Sequence, residues 1–243
     1  HIIACSEFLR QIHIQSYGIA PAKVQRIFNA YHGPATSEIG HTREEAKAAL
    51  GLDPTKRYVL TICRLMVWKR VDGILEALQG LPADVQLLIA GDGDMEEPWK
   101  DLARELGLSD RAHFLGNVPH AKIPLYVRAA HVFVLNSRYE GLSHTLLEVL
   151  YLGTPMIASG VCGNPEVVQH EVNGLLVDPF DSAALRAAIS RLLSDPDLAQ
   201  RFVEVSLGRR ERFSREGTFS QVEAVLAQVA GRVAPTPVTR PSP

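Results

Sequence analysis

From position 42 to position 177 the apolar residues follow two alternating patterns. Predominantly apolar runs at 58–63, 85–90, 112–115, 132–135, 156–158 and 174–177 read as strands. Between them, apolar residues recur at spacings of three and four, which predicts helices over 42–50, 71–78, 96–106, 123–130 and 145–152. Strands that lack polar alternation are buried on both faces. Their alternation with helices implies a parallel sheet covered on both sides. We therefore expect an α/β fold, a Rossmann-like doubly wound parallel sheet, with extra C-terminal helices over 183–193, 198–207 and 219–229. Such sheets bind ligands beyond the carboxyl ends of their strands. That directs attention to the residues after Cys63, Ala90, Leu115, Leu135 and Ala158.

Ahead of this block, 1–5 and 23–28 read as strands. Ser6 is placed to cap a helix running to about 16. Positions 29–40 are polar and rich in Gly and Pro, a linker pattern. The segment 234–243 is Pro-rich and is expected to be a disordered tail. The net charge of -2 gives no basic field for nucleic acid. Cys5, Cys63 and Cys162 are odd in number and far apart, which fits neither a disulfide framework nor a zinc site and suggests a reducing compartment. No apolar run approaches a membrane span, and no signal peptide is evident. The chain opens at His1 inside an apolar run without a Met, so we expect an upstream part.

The stretch 137–166 carries the most chemistry. A buried strand leads into a polar turn containing Gly141. Ser143 is placed as a helix N-cap, and Gly153 and Pro155 end the helix. A strand, a turn and a helix start form an anion cradle, because the first-turn N–H groups are free and the dipole favours negative charge. Glu140 and Glu148 bracket it. Carboxylates repel phosphate but accept from paired hydroxyls. The local reading is a nucleotide-sugar, with phosphates on N–H groups and sugars on carboxylates.

The other strand ends add to this. Arg64 and Lys69, five residues apart across a turn, are spaced to point at one anion. Gly91-Asp92-Gly93-Asp94 reads as a tight turn with Asp94 capping the next helix. It lacks a third Gly at dinucleotide-binding spacing and the rest of a calcium loop. Asn164-Pro165-Glu166 reads as an N-cap, a first-position Pro and a first-turn acid. Of the histidines, His144 lies in the cradle turn, whereas His113 and His120 show no partner at ligand spacing. Arg209, Arg210, Arg212 and Arg215 read as a solvated basic helix face.

The glutamate pair Glu140–Glu148, with Ser-Arg-Tyr-Glu-Gly-Leu-Ser around it and Gly-Asn-Pro-Glu after it, resembles the Glu-x7-Glu region of retaining glycosyltransferases of the GT-B fold, family four. The likeness extends to about Arg210. It implies that the chain is the C-terminal, donor-binding half of such an enzyme. On this reading 1–40 are a remnant of the N-terminal acceptor domain with the hinge, 41–210 the nucleotide-sugar domain, 211–232 a C-terminal helix and 233–243 a tail.

The resemblance also assigns roles. Arg64 and Lys69 would hold the donor diphosphate and stabilise the leaving group, with Glu140 facing the donor sugar. Gly91 and Gly93 would line the cleft, and Asn117 and Val118 would read the base through backbone groups. The turn and helix start at Gly141, Leu142, Ser143, Thr145 and Leu146 would cradle phosphate, with Glu148 on the ribose hydroxyls. Cys162 stands where the family commonly has Gly, and His131 where it often has Asp. No metal or other cofactor is implied; the donor would be a nucleoside diphosphate sugar, with UDP first and GDP second. The acceptor would be a sugar, glycolipid or glycan bound by the absent half, in polysaccharide, lipopolysaccharide or glycolipid synthesis. A cytoplasmic location is implied, with association at the inner membrane face also open. Two other readings stay open, a non-catalytic nucleotide-sugar module and a GT-B nucleotide-sugar 2-epimerase.

Overall fold

The computed structural model describes residues 1–31, 33 and 40–231. The 29–40 linker and the 233–243 tail therefore lie largely or wholly outside the described residues. Two sheets form. In the first, β1 (Ile2–Ala4) pairs in parallel with β2 (Val24–Arg26), with α1 (Glu7–Gln15) between them. In the second, β3 (Arg57–Ile62), β4 (Val85–Ala90), β5 (Ala112–Gly116), β6 (Val132–Leu135), β7 (Met156–Ser159) and β8 (Leu175–Val177) lie in the order β5-β4-β3-β6-β7-β8. Every pairing in it is parallel. Counted from β3, this is the doubly wound order 3-2-1-4-5-6, which reverses direction between β3 and β6.

The connecting helices are α2 (Arg43–Ala49), α3 (Val71–Gln79), α4 (Glu96–Glu105), α5 (Ile123–Ala129), α6 (His144–Leu152) and the single turn α7 (Asn164–Val167). After β8 come α8 (Ser182–Ser194), α9 (Pro196–Gly208) and α10 (Arg215–Val229). The core has two sides. Val59, Leu87, Ile89, Val132, Val134 and Ile157 pack with α3, α4 and α8. Leu60, Leu88, Phe133, Leu135, Met156 and Ala158 pack with α5 and α6. This is the parity rule of a strand acting on uniformly apolar runs.

Two local expectations needed correction. Asp94 does not cap α4; the N-cap is Met95 with no side-chain bond, and the Glu96 amide donates to the Gly93 carbonyl at 3.0 Å. Asn164 does not cap α7 either. It is the first helical residue after Gly163, and its fully buried amide turns inward to donate to Ser159 O (3.2 Å) and Oγ (3.0 Å). In both cases the helix begins one residue away from where the cap was expected, so Asn164 is already inside its helix and the exposed Asp94 lies just before the cap position. His113 also has a partner, Gln86 Oε1 on the neighbouring strand at 2.9 Å.

His131 opens β6. Its amide donates to Tyr58 O at 2.8 Å, and its Nδ1 accepts from the Tyr58 amide at 3.1 Å. Burial, with Arg43, Lys47 and Arg57 nearby, pushes its pKa down to about 3. A neutral imidazole thus serves as a fixed acceptor at the start of the β3–β6 pairing.

Candidate functional site

The strand order reverses between β3 and β6, and the two strands pair at only two positions, Val59 with Val132 and Leu60 with Phe133. Past that point they diverge, leaving a crevice at the carboxyl edge. Asn136 spans it: Nδ2 donates to Arg70 O and to Pro179 O, each at 3.2 Å.

Beside this crevice, a cavity of about 660 Å³ lies over the ends of β3, β4 and β5 and the first turn of α6. That volume suits a small-molecule ligand. Of the residues singled out from sequence, Arg64, Gly91, Asn117, Val118, Thr145 and Glu148 line it together. Asp92, His120 and His144 line it too. The Arg64 guanidinium is exposed and has no acidic partner among the described residues. Gly91 has φ 130, and a Cβ there would lie 1.8 Å from Cys63 O, so only glycine lets β4 leave the sheet this close to β3.

Glu148 is the second acidic wall. It sits on the second turn of α6, whose other inward positions, Leu146, Leu147, Val149, Leu150 and Leu152, are apolar and buried. Burial raises its pKa, partly offset by His120. Its Oε1 is buried without a hydrogen-bond partner among the described residues. His120 Nε2 is 3.7 Å from that oxygen, a pairing that local spacing does not reveal because strand end and helix meet only in the fold.

Glu140 and Lys69 are arranged differently from the expectation. Rather than standing apart, the Lys69 ammonium pairs directly with Glu140 Oε1, with side chains 17% and 13% exposed. Ser137 Oγ donates to the same oxygen at 2.8 Å. Two half-desolvated opposite charges on the loops that flank the switch point are cheaper paired than separate. The Cys63 thiol on the cavity wall is pushed up to about 11 by burial, while Lys69 lowers it and Glu140 raises it. Neither Lys69 nor Glu140 is among the residues that line the cavity, so the structure does not bring this pair together with Arg64 on one wall.

The cradle is built from a true helix start. Ser143 caps α6 by accepting from the Leu146 amide at 3.3 Å. That bond removes Leu146 from the free amides, and its side chain is in the core. The amides of Gly141, Leu142, Ser143 and Thr145 are given no acceptor among the described residues. Leu142 is buried as a residue, with its side chain in the core. Gly93 is set back from the cavity. A Cβ there would lie 2.4 Å from Leu65 O, and its loop is stitched to Leu65 by Leu65 N to Asp92 O (2.6 Å) and Met95 N to Leu65 O (2.9 Å). Its part is to shape the turn. Among the described residues no three His, Cys, Asp or Glu side chains gather as metal ligands, and no helix is long and apolar enough to cross a membrane.

The model of the family described as glycosyl transferases group 1 matches residues 42–206. An alpha-D-kanosaminyltransferase of Streptomyces kanamyceticus is 33% identical over 165 residues, 67% of this chain and 42% of that protein. A GDP-mannose-dependent alpha-(1-6)-phosphatidylinositol monomannoside mannosyltransferase of Mycobacterium tuberculosis is 32% identical over 188 residues, 73% of this chain and 47% of that protein. The crystal structure of Anabaena Alr3699/HepE in complex with UDP superposes with a TM-score of 0.83 at 24% identity, covering 93% of this chain and 63% of that one. The chain spans about half the length of the curated relatives it matches.

Proposed function

This chain belongs to the glycosyl transferases group 1 family and has the Rossmann-like α/β architecture of GT-B enzymes, and on that footing we propose that it is the donor-binding half of a retaining glycosyltransferase using a nucleoside diphosphate sugar. The observation that carries the reading is one shared cavity with, among the described residues, a guanidinium that has no acidic partner on one wall and a buried carboxylate oxygen that accepts no hydrogen bond, with only His120 at 3.7 Å, on the other. A guanidinium is suited to a diphosphate. A carboxylate oxygen that lacks a donor is suited to ribose hydroxyls, which bring two.

In this reading the base lies against Asn117 and Val118, and Glu148 takes the ribose. Arg64 and the amides from Gly141 to Thr145 take the diphosphate. Donor binding brings phosphate oxygens to Lys69 and sugar hydroxyls to Glu140, so that each member of the ion pair exchanges part of its partner for substrate. As the glycosidic bond breaks, negative charge grows on the leaving diphosphate, and these fixed cations and dipoles stabilise it. The protein's own groups supply that charge compensation, and we assign no cofactor. UDP is the first choice of nucleotide and GDP the second; relatives named for GDP-mannose and a fold neighbour solved with UDP support both.

Titration calorimetry of the chain with UDP and GDP tests the reading. We expect weak binding of at least one, reduced about tenfold or more by Arg64→Ala, since a charge-assisted contact is worth ~1.5–3 kcal/mol. Binding of neither nucleotide, or unchanged binding in Arg64→Ala, overturns it.

A further inference from the structure

The carboxylate of Glu166 takes no part in the cavity, yet it is not idle. Its Oε2 accepts from the Glu7 amide at 2.9 Å and its Oε1 from the Phe8 amide at 3.1 Å. These are the first two N–H groups of α1, and the third, Leu9, donates to Ser6 Oγ at 3.1 Å. The orphan donors of this helix start are thus filled by an acid 159 residues away in sequence, where the dipole also favours it. Arg26 Nη1, on β2, stands 3.8 Å from the same carboxylate. This side chain is therefore one of the ties between the β1–α1–β2 unit and the larger sheet.

At its other end Glu166 is bolted to the cradle turn. The Glu166 amide donates to Gly163 O at 3.1 Å, and the Gly163 amide donates to Glu140 O at 3.0 Å. A Cβ on Gly163 would lie 1.8 Å from Gly141 O, so the two backbones touch. Directly from the turn, Gly141 faces Leu9 Cδ1, which would be 2.9 Å from an added Cβ. The Tyr139 ring stands edge-on to Phe8, centroids 6.0 Å apart. There is little room for the turn to shift without moving α1.

We infer that Glu166 is a positioning residue, a latch that transmits occupancy of the turn at 139–143 to the orientation of α1 and its sheet. The inference rests on the donor reading above, since it takes that turn to be where ligand binds. Its consequence for the reaction is that the unit carrying β1 and β2 is set relative to the sugar only when the donor is in place.

The test is amide hydrogen exchange of the 243-residue chain, with and without saturating UDP, alongside calorimetry. In the native sequence UDP should slow exchange at Glu7 and Phe8 by about fivefold or more. In Glu166→Gln, which keeps the shape but not the charge, the ligand response at those amides should fall below about twofold. Affinity for UDP should stay within about fivefold, because linkage limits the change to the coupling itself. Equal protection in the variant overturns the latch. So does UDP binding to the native chain without any response at Glu7 and Phe8, an arm that needs no variant to fold. No calorimetric binding of UDP or GDP overturns the donor reading first, and the latch with it.

Discussion

Glu148 is where folding and binding pull in opposite directions. Its carboxyl is desolvated on a helix otherwise committed to the core, so its folded pKa is raised. A raised folded pKa means the native state holds the proton more tightly than the unfolded chain. The stability this gives is full below the unfolded value near 4.3 and is lost as pH rises through the folded one. Glu148→Gln should therefore melt higher than the native chain at pH 8, with the gap closing toward pH 4, and should bind UDP about tenfold or more weakly. Thermal melts across pH, with calorimetry at one pH, check both halves. His131 has the opposite sign. Its folded pKa of about 3 lies below the unfolded value near 6.5, so stability is present above pH 6.5 and falls as pH drops toward 3. The slope can approach ~1.4 kcal/mol per pH unit. His131→Asn, which still offers an oxygen to the Tyr58 amide, should flatten that decline in denaturant titrations between pH 6.5 and 4. The placement of both groups in elements was readable from the pattern around them. Their partners were not: His120 meets Glu148, and Tyr58 meets His131, only across chain separations that no local window contains.

Among elements, α6 was the most legible. Ser143 as cap and Gly153 as stop follow from local chemistry alone, and the structure has both, the stop in the left-handed conformation at φ 72. Ser143→Ala should cost about 1 kcal/mol and lower the melting temperature by roughly 2–4 °C, read by calorimetric melting. Under the proposed function its nucleotide affinity should fall as well, because that reading places the diphosphate at the helix start. The parallel strands were legible for a related reason, since burial on both faces leaves a predominantly apolar run with no regular polar alternation. Elements that depend on distant partners were hidden. The Asn164 and Asp94 caps failed because each cap position falls one residue off the expected one, at Gly163 and Met95, while the Asn164 amide turns inward to Ser159. The Lys69–Glu140 pair joins loops 71 residues apart. Likewise, the fastening of α1 by Glu166 had no local signal.

At the scale of the molecule, the six-stranded sheet separates two apolar layers, and adjacent residues on one strand serve different ones. Leu87 belongs to the α3, α4 and α8 side and Leu88 to the α5 and α6 side. Each is essentially without exposure. Leu87→Ala and Leu88→Ala should each cost ~2–5 kcal/mol in urea unfolding. The effects should be of similar size, because neither layer is a minor annex of the other. The strand order also explains why chemistry collects at one edge: loops after β3 and β6 leave the sheet in opposite directions, and only there can a ligand lie between them.

Under the proposed function, the Lys69–Glu140 pair would act as a filter. An ammonium that already has a counterion gains little from a bare anion, which would strand the carboxylate it displaces. Inorganic pyrophosphate should accordingly compete poorly for the chain, well below a nucleotide that carries a sugar. A molecule bearing both oxyanions and hydroxyls can re-satisfy both halves at once, so under the proposed function the pair would sort visitors by whether they bring two kinds of chemistry or one.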